Sequence, residues 1–251
     1  MRELRRTRKE TRVESNTLPR RAVVLLSGGL DSTTLAYLLH AYGFQLYGLS
    51  FRYGQRHERE LLAAQAVAQR LGFAEHRILT LDLAQWGGSS LLGTGEIPSQ
   101  PTSGIPSTYV PVRNLIFLAV AHAYAEAIDA DAVALAVSQV DYSGYPDCRG
   151  EFLAAYQQAA DLASRRFVET GRRIPILAPF LDVPKSAIIR LGLRLGVDYG
   201  LTWSCYRGGE WPCQQCDSCR LRARAFAEVG VPDPLLAPPA APRGTTGAVD
   251  R

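Results

Sequence analysis

A glycine turn between a predicted strand and a predicted helix constrains this chain more than any other feature. The apolar, β-branched residues 22–26 predict a strand, which runs into the string SGGLDST at residues 27–33. Glycines lack a Cβ and adopt positive φ readily, so several backbone N–H groups can converge there on one anion. The helix expected to start near Ser32 adds its unpaired amides and the positive end of its dipole. The string therefore predicts a polyphosphate site.

The side chains of this string suit a polyphosphate that carries a metal ion. Ser27, Ser32 and Thr33 offer hydroxyl donors, and Asp31 can bind magnesium or a water between phosphate oxygens. No lysine stands where G-x-x-x-x-G-K-[ST] has one, which excludes a γ-phosphate cradle of the kinase type. The alternative is structural: the glycines close the turn, and Ser32 caps the helix. The residues predicted to bind nucleotide are Leu26, Ser27, Gly28, Gly29, Leu30, Asp31, Ser32, Thr33, Thr34, Leu35 and Ala36.

The order of the apolar segments predicts an α/β fold. Strands are predicted at residues 22–26, 44–51, 77–81, 132–137 and 174–177, and helices at 33–42, 58–71, 114–128, 151–168 and 184–195. This alternation predicts a doubly wound, parallel five-stranded sheet with helices on both faces. Ligands of such sheets bind outside the carboxyl ends of the strands, next to the first strand. The glycine turn falls at that position.

The N-terminal residues carry a positive net charge that the rest of the chain does not share. The 251 residues have a net charge of +4, but residues 1–21 carry eight Arg or Lys and three acidic residues, so the remainder has a net charge of −1. A basic nucleic-acid platform is thereby excluded for the folded part. Residues 1–20 are expected to form a disordered basic tail, with contact to RNA or a membrane surface as the alternative. Without a signal-peptide core or an apolar run of ~20 residues, the expected location is the cytoplasm.

Four units are predicted along the chain. After the tail, residues 21–200 form the α/β domain, residues 201–230 a small helical segment with four cysteines, and residues 231–251 a flexible tail rich in Pro and Ala. Residues 82–108, rich in Gly, Ser and Pro, are expected to form a lid, because loops of that length inside a compact domain are usually binding loops.

The spacing C-x7-C-x2-C-x2-C predicts a metal site made by Cys205, Cys213, Cys216 and Cys219. Two overlapping C-x2-C units fold three thiolates around one ion, and Cys205 completes a tetrahedron, which favours a structural zinc ion. Disulfides and an iron–sulfur cluster are the alternatives. The fifth cysteine, Cys148, is expected to be a packing thiol rather than a nucleophile.

Three polar strings follow or precede the predicted elements where a doubly wound sheet places its substrate loops. They supply candidate substrate contacts at Arg56, His57, Arg113, Asn114, Asp141, Tyr142 and Asp147, and candidate catalytic residues at Arg113 and Arg149, beside Asp31 and Ser32. An arginine can bind a carboxylate or phosphate in bidentate fashion. Each residue also has a structural alternative, such as pairing with a nearby acid. The other histidines, at positions 40, 76 and 122, are expected to be structural.

Five strings in this order carry a family resemblance: SGGLDSTT, FRYGQRH, TYVPVRN, DYSGYPDCR and the cysteine pattern. The first resembles the PP-loop of the ATP pyrophosphatases, which cleave ATP between the α- and β-phosphates and have an adenine nucleotide alpha hydrolase-like fold. Together, over residues 22–230, they resemble the QueC family of 7-cyano-7-deazaguanine synthases. Two departures are Val112, where Gly or Ala is usual, and Ala136, where Gly is usual.

The resemblance implies an ATP-dependent ligase of queuosine biosynthesis. Members convert 7-carboxy-7-deazaguanine, ammonia and two ATP into the 7-cyano compound, AMP and pyrophosphate, through an acyl-adenylate and an amide, with magnesium and a four-Cys zinc ion. It further implies small-molecule substrates, a homodimer, and neither a membrane nor a nucleic-acid partner. A PP-loop enzyme that thiolates tRNA is the alternative, as is a nucleotide-binding regulatory module.

Under this hypothesis Gly28, Gly29, Ser32 and Thr33 hold pyrophosphate, Asp31 holds magnesium, and backbone near residues 49–51 and 136–137 flanks adenosine. Arg113 or Arg149 holds the substrate carboxylate, and Asp141 and Asp147 face the guanine-like edge.

Overall fold

The chain folds around a parallel β-sheet. The structure is a computed structural model, and it describes residues 20–93, 95–98, 104–139 and 144–236. The strands are β1 (Arg21–Leu25), β2 (Gln45–Arg52), β3 (Glu75–Thr80), β4 (Ala132–Ala134) and β5 (Ile176–Leu177). They lie in the order β3-β2-β1-β4-β5, and all four pairings are parallel. The predicted five-stranded, doubly wound sheet is confirmed, and β1 is its central strand.

Helices connect these strands. They are α1 (Leu30–Ala41), α2 (Arg59–Arg70), α3 (Arg113–Ala127), α4 (Gly150–Ala163), α5 (Arg165–Thr170), α6 (Lys185–Arg194) and α7 (Asp217–Val229). Short 3-10 turns occur at Leu83–Trp86, Pro146–Cys148, Tyr199–Leu201 and Pro234–Leu236. None of the helices in the described ranges is long and apolar enough to span a bilayer.

Both faces of the sheet are covered, which explains the continuous apolar run of β1. Val23 packs into a core with Leu49, Leu118 and Val133 on one face. Its neighbours Ala22 and Val24 point the other way, because side chains alternate along a strand. They join the second core, to which α1, α2, α6 and α7 contribute. A strand buried on both faces has no polar alternation, as the sequence indicated.

One predicted helix is wrong as a continuous element. Residues 151–168 form two helices, because the backbone at Ser164 is extended (φ −82°, ψ 122°). Ser164 Oγ accepts a hydrogen bond from the Phe167 amide and so caps α5. Glu126 Oε1 accepts from both the Ser164 hydroxyl and the Arg166 amide, each at 2.8 Å. This acceptor on α3 stabilises the break, and it is invisible in the local sequence.

The C-terminal segment packs directly on the α/β unit. Phe226 of α7 shares a core with Leu35 of α1 and Ile188 of α6. Arg222 is almost fully buried, and its guanidinium bonds the Tyr199 carbonyl and both carboxylate oxygens of Asp233. The division at residue 200 stays a prediction. The predicted tails fall largely on residues 1–19 and 237–251, outside the described ranges.

Candidate active site

The glycine turn joins β1 to α1 at the carboxyl edge of the sheet. Gly28 has φ +77°, and a Cβ there would collide with the Glu60 carbonyl oxygen and lie 2.6 Å from the Ala64 amide nitrogen. The backbone therefore passes so close to α2 that only glycine fits. Ser27 Oγ and Ser32 Oγ are hydrogen-bonded at 3.0 Å across the turn.

Helix α1 begins earlier than predicted, at Leu30, with Gly29 as its N-cap. The Thr33 amide bonds the Gly29 carbonyl at 3.1 Å, so the amides of residues 30–32 lie at the open end of the helix. Ser32 is thus inside the first turn, and the alternative in which it caps the helix is wrong. These first-turn amides meet the glycine turn, as anion binding requires.

A cavity of about 290 Å³ opens over this turn. Its wall includes most of the predicted phosphate loop, namely Leu26, Ser27, Gly29, Leu30, Asp31 and Ser32. Residues 49–51 of β2 and 135–137 after β4 form another part of the wall. The backbone segments expected to flank adenosine therefore face the same space as the loop expected to bind phosphate.

The remaining predicted nucleotide-binding residues lie behind this wall. Thr33, Thr34, Leu35 and Ala36 are fully buried within α1, and Gly28 is buried against α2. The Thr34 hydroxyl is hydrogen-bonded to Leu30 O at 2.9 Å and to Tyr199 OH at 2.8 Å. These side chains support the loop from below and do not line the cavity.

Asp31 faces a cation that the sequence analysis did not identify. Lys185 Nζ, from the first turn of α6, lies 2.5 Å from Asp31 Oδ2, and each side chain is 15% exposed. Both residues line the cavity. The available signal was positional: Lys185 begins the helix that follows β5, and the carboxyl ends of all parallel strands lie at one edge.

The predicted substrate residues separate into two groups. Arg56, His57, Arg113 and Asn114 line the cavity. Arg149 does not; its guanidinium is 3.7 Å from Glu151 at the surface. Asp147 is buried beneath the site, where its carboxylate accepts a 2.9 Å hydrogen bond from the Asn114 amide at the start of α3. The predictions at positions 141 and 142 lie outside the described residues.

Arg113 lies among aromatic rings. Its guanidinium donates a 3.4 Å hydrogen bond to Tyr53 OH and lies 5.5 Å from the centre of that ring. It lies 5.9 Å from the centre of the Phe117 ring, which stacks on Phe51 at 3.9 Å. Although burial works against the charged form, Tyr53, Cys148 and Asp147 raise the pKa of Arg113 above its ordinary value. A fixed positive charge therefore faces the cavity.

Glu60 is a second residue that sequence reasoning missed. It lies in the first turn of α2 and lines the cavity. Burial raises the pKa of its carboxyl to about 7, the nearby Arg113 lowers it, and Cys205 raises it. A carboxyl of this kind exchanges a proton near neutral pH. Its signal was the end of the string FRYGQRHERE, three residues past His57.

The four cysteines come together. The sulfurs of Cys205, Cys213, Cys216 and Cys219 all lie within 4.8 Å of one another. Hydrogen bonds to the Cys205 sulfur raise the pKa of Cys216 to about 11 and also raise that of Cys219, so these two thiols would ionise only with a cation beside them. The Cys213 amide donates to Cys205 Sγ at 3.3 Å. The donor set and its second layer of amides fit a tetrahedral metal ion.

Hydrogen bonds join this cysteine segment to the phosphate loop and to His57. The Trp203 amide donates to the Gly28 carbonyl at 2.9 Å. The Trp203 indole donates to the Cys205 carbonyl at 3.0 Å, and His57 Nε2 donates to the same oxygen at 2.9 Å. Because a carbonyl only accepts, His57 carries its proton on Nε2.

Comparison with known proteins supplies the deciding observation. The family model described as "Queuosine biosynthesis protein QueC" matches residues 21–230. The chain belongs to the QueC family. The family predicted from the five strings is thereby confirmed.

Relatives of this QueC family protein are similar over nearly their whole length. A protein of Frankia casuarinae is 54% identical over 217 residues, which cover 85% of this chain and 92% of the relative. Proteins of Dechloromonas aromatica and Cellvibrio japonicus are 52% and 49% identical, over 98% and 96% of their own lengths. All three are named 7-cyano-7-deazaguanine synthase.

Proposed function

We propose that this protein is a 7-cyano-7-deazaguanine synthase, which converts 7-carboxy-7-deazaguanine, ammonia and two ATP into the 7-cyano compound. One observation carries the proposal beyond family membership: the phosphate loop and Arg113 face one cavity. An enzyme that joins a carboxylate to the α-phosphorus of ATP must bind two negatively charged groups, the carboxylate and the phosphates, side by side. The reaction releases pyrophosphate, then AMP, in each of two rounds.

The residues act by position and charge. The substrate carboxylate pairs with Arg113 and attacks the α-phosphorus, and the departing pyrophosphate stays against the amides of residues 30–32. Transfers of this type depend on alignment and charge neutralisation more than on covalent help from the protein. Ammonia then attacks the acyl-adenylate to give the amide. The second ATP activates the amide oxygen, and loss of AMP leaves the nitrile.

Water must be excluded from both adenylates. The segment predicted to be a lid, residues 82–108, is suited to exclude water, because Leu91 and Thr108, two of its described residues, line the cavity. Thr108 Oγ1 is hydrogen-bonded to Tyr145 OH at 2.9 Å on the opposite loop. Closure over the substrates by this segment is part of the proposal.

Two metal ions are proposed. Cys205, Cys213, Cys216 and Cys219 would hold zinc, which ties the C-terminal segment together and has no part in the chemistry. Asp31, with the hydroxyls of Ser27 and Ser32 beside it, would hold magnesium, since oxygen ligands suit that ion. Magnesium supplies charge neutralisation for the phosphates. A cytoplasmic homodimer without a nucleic-acid partner completes the proposal.

The test compares two substrates. ATP and ammonium are supplied with either 7-carboxy-7-deazaguanine or bulk tRNA, and AMP and pyrophosphate are measured. We expect AMP release only with the carboxy-deazaguanine, two per nitrile formed. AMP release that requires tRNA and a sulfur donor would establish the tRNA-thiolating alternative, and release of ADP and orthophosphate would refute both.

A further inference from the structure

Glu60 has a position that the steps above leave unused. Its carboxyl lines the cavity but finds no hydrogen-bond donor among the residues that the structure describes. The same helical turn touches the phosphate loop, because the Glu60 carbonyl occupies the space that a Cβ on Gly28 would need. The acceptor atoms of this half-buried carboxyl are therefore open to a cationic ligand that enters the cavity.

We propose that the Glu60 carboxylate binds the incoming ammonium ion and takes one of its protons, so that ammonia forms beside the acyl-adenylate. This inference rests on the proposed function and names the residue that prepares its nucleophile. Ammonium is the dominant form of the nitrogen donor at neutral pH, and it has no lone pair with which to attack carbon.

Ammonium gives one proton to Glu60, and the resulting ammonia attacks the acyl carbon. The C–N bond forms, the bond between that carbon and the adenylate oxygen breaks, and AMP leaves with the bonding electron pair. The added nitrogen loses its extra proton to the departing phosphate. Glu60 returns its own proton to water when the site opens.

The surroundings of Glu60 favour this role. Arg113 from α3 lowers the pKa of its carboxyl and Cys205 from the cysteine segment raises it, while Glu60 in turn raises the pKa of Tyr53 after β2. The Asp31–Lys185 pair lines the same cavity. Burial outweighs Arg113, so the pKa of the carboxyl rises to about 7. A base in this range both accepts and releases a proton at physiological pH.

A second use for the carboxyl would be to bind the guanine-like edge of the substrate. The backbone of Glu60 packs against Gly28 of the phosphate loop, so the first turn of α2 stands at the phosphate end of the cavity, and we assign its carboxyl to that end, where the reacting carbon must lie. The guanine-like edge is remote from the carboxyl group that reacts. The two roles differ in which substrate loses affinity when Glu60 is changed.

The experiment uses Glu60→Gln, which keeps size and removes the base, with two nucleophiles. Hydroxylamine is largely unprotonated at pH 7.5 and needs no base to become nucleophilic. With ammonium, we expect amide formation to fall about 100-fold. With hydroxylamine, hydroxamate formation should fall less than threefold. ATP–pyrophosphate exchange without a nitrogen donor should stay within twofold of the wild-type rate.

The matched control is Glu58→Gln, because Glu58 lies at the same end of α2 but faces solvent in an ion pair with Arg52. It should behave as wild type with both nucleophiles. Equal losses of Glu60→Gln with ammonium and hydroxylamine would overturn the inference, as would a raised KM for the carboxy-deazaguanine alone. If the wild-type protein shows no exchange dependent on the carboxy-deazaguanine, the proposed function fails instead.

A measurement on the wild-type protein keeps the inference testable if Glu60→Gln does not fold. The kcat/KM for total ammonia should rise with pH and level off above about pH 7, because Glu60 is then ionised. With hydroxylamine the dependence on Glu60 should be absent, and any rise should follow only the protonation of hydroxylamine itself. A continued tenfold rise per pH unit up to the pKa of ammonium would mean that free ammonia is taken from solution, which would overturn the role of Glu60.

Discussion

Lys185 Nζ lies 2.5 Å from Asp31 Oδ2, although the two residues are 154 positions apart in the chain. Helix α6 brings a cation to the carboxylate that we assign to magnesium. With nucleotide and magnesium bound, Asp31 would hold the ion, and the flexible lysine side chain would reach the phosphates. The pair therefore preserves charge balance at the phosphate loop in the absence of nucleotide.

Removal of the lysine charge should weaken nucleotide binding. We expect Lys185→Gln to raise the KM for ATP at least tenfold, since one charge-assisted contact to phosphate is lost. Steady-state pyrophosphate release measures this. The control is Arg194→Gln at the other end of α6, and an unchanged KM for ATP in Lys185→Gln would refute the contact.

Asp31→Ala should abolish turnover, and near-normal rates would remove the magnesium role.

Two glycines with the same φ separate strain from close packing. Gly28 and Gly43 both have φ +77°, but a Cβ on Gly43 meets nothing within 4 Å. Gly43→Ala should therefore cost only the left-handed strain of about 1–2 kcal/mol. Gly28→Ala should cost about 2 kcal/mol more, because α2 must also move. Urea denaturation measures both, and equal values would contradict the close approach.

Val112 stores strain at the start of α3. Val112 stands where Gly or Ala is usual. It is the N-cap of α3 and has φ +49°. A β-branched residue in the left-handed region is unfavourable. Val112→Gly should raise the free energy of unfolding by about 1 kcal/mol, after the entropy cost of glycine. Val112→Ala is the control, because it keeps the left-handed strain, and it should gain less than half as much.

The two candidate arginines can be compared directly. Arg113→Lys should reduce adenylate formation about 100-fold, because lysine lacks the planar pair of donors that binds a carboxylate. Arg149→Lys should have a much smaller effect, since Arg149 pairs with Glu151 outside the cavity lining. ATP–pyrophosphate exchange measures both. A larger loss from Arg149→Lys would reverse the assignment.

The cysteine quartet makes a prediction about metal content. Cys213→Ser should lose a stoichiometric zinc ion and lower the Tm by about 10 °C, because a structural metal contributes directly to folding. Cys148→Ser is the matched control, since Cys148 is buried but lies outside the quartet. Elemental analysis with thermal unfolding measures both. Equal zinc content in Cys213→Ser and wild type would refute the site.

Local patterns predicted the frame of the molecule well. The β-branched run before the glycine turn, the alternation of strands and helices, and the spacing of the cysteines each depend on neighbours in the chain. They placed β1, the sheet and the quartet correctly, with strand and helix ends within about three residues.

Long-range contacts could not be read in the same way. Lys185 reaches Asp31 only because α1 and α6 pack side by side, and the helix break at Ser164 depends on Glu126. Glu60 has the sequence environment of an ordinary helix start, since an acid is favourable there. Its place on the cavity wall comes from the approach of α2 to Gly28.

The hydrogen bond from the Trp203 amide to the Gly28 carbonyl limits where the chain can be shortened. A fragment that stops at residue 200 would keep every strand of the sheet, yet it would lose the donor that braces the glycine turn. It would also uncover the faces of α1 and α6 now packed against Phe226. We therefore expect such a fragment to precipitate on expression.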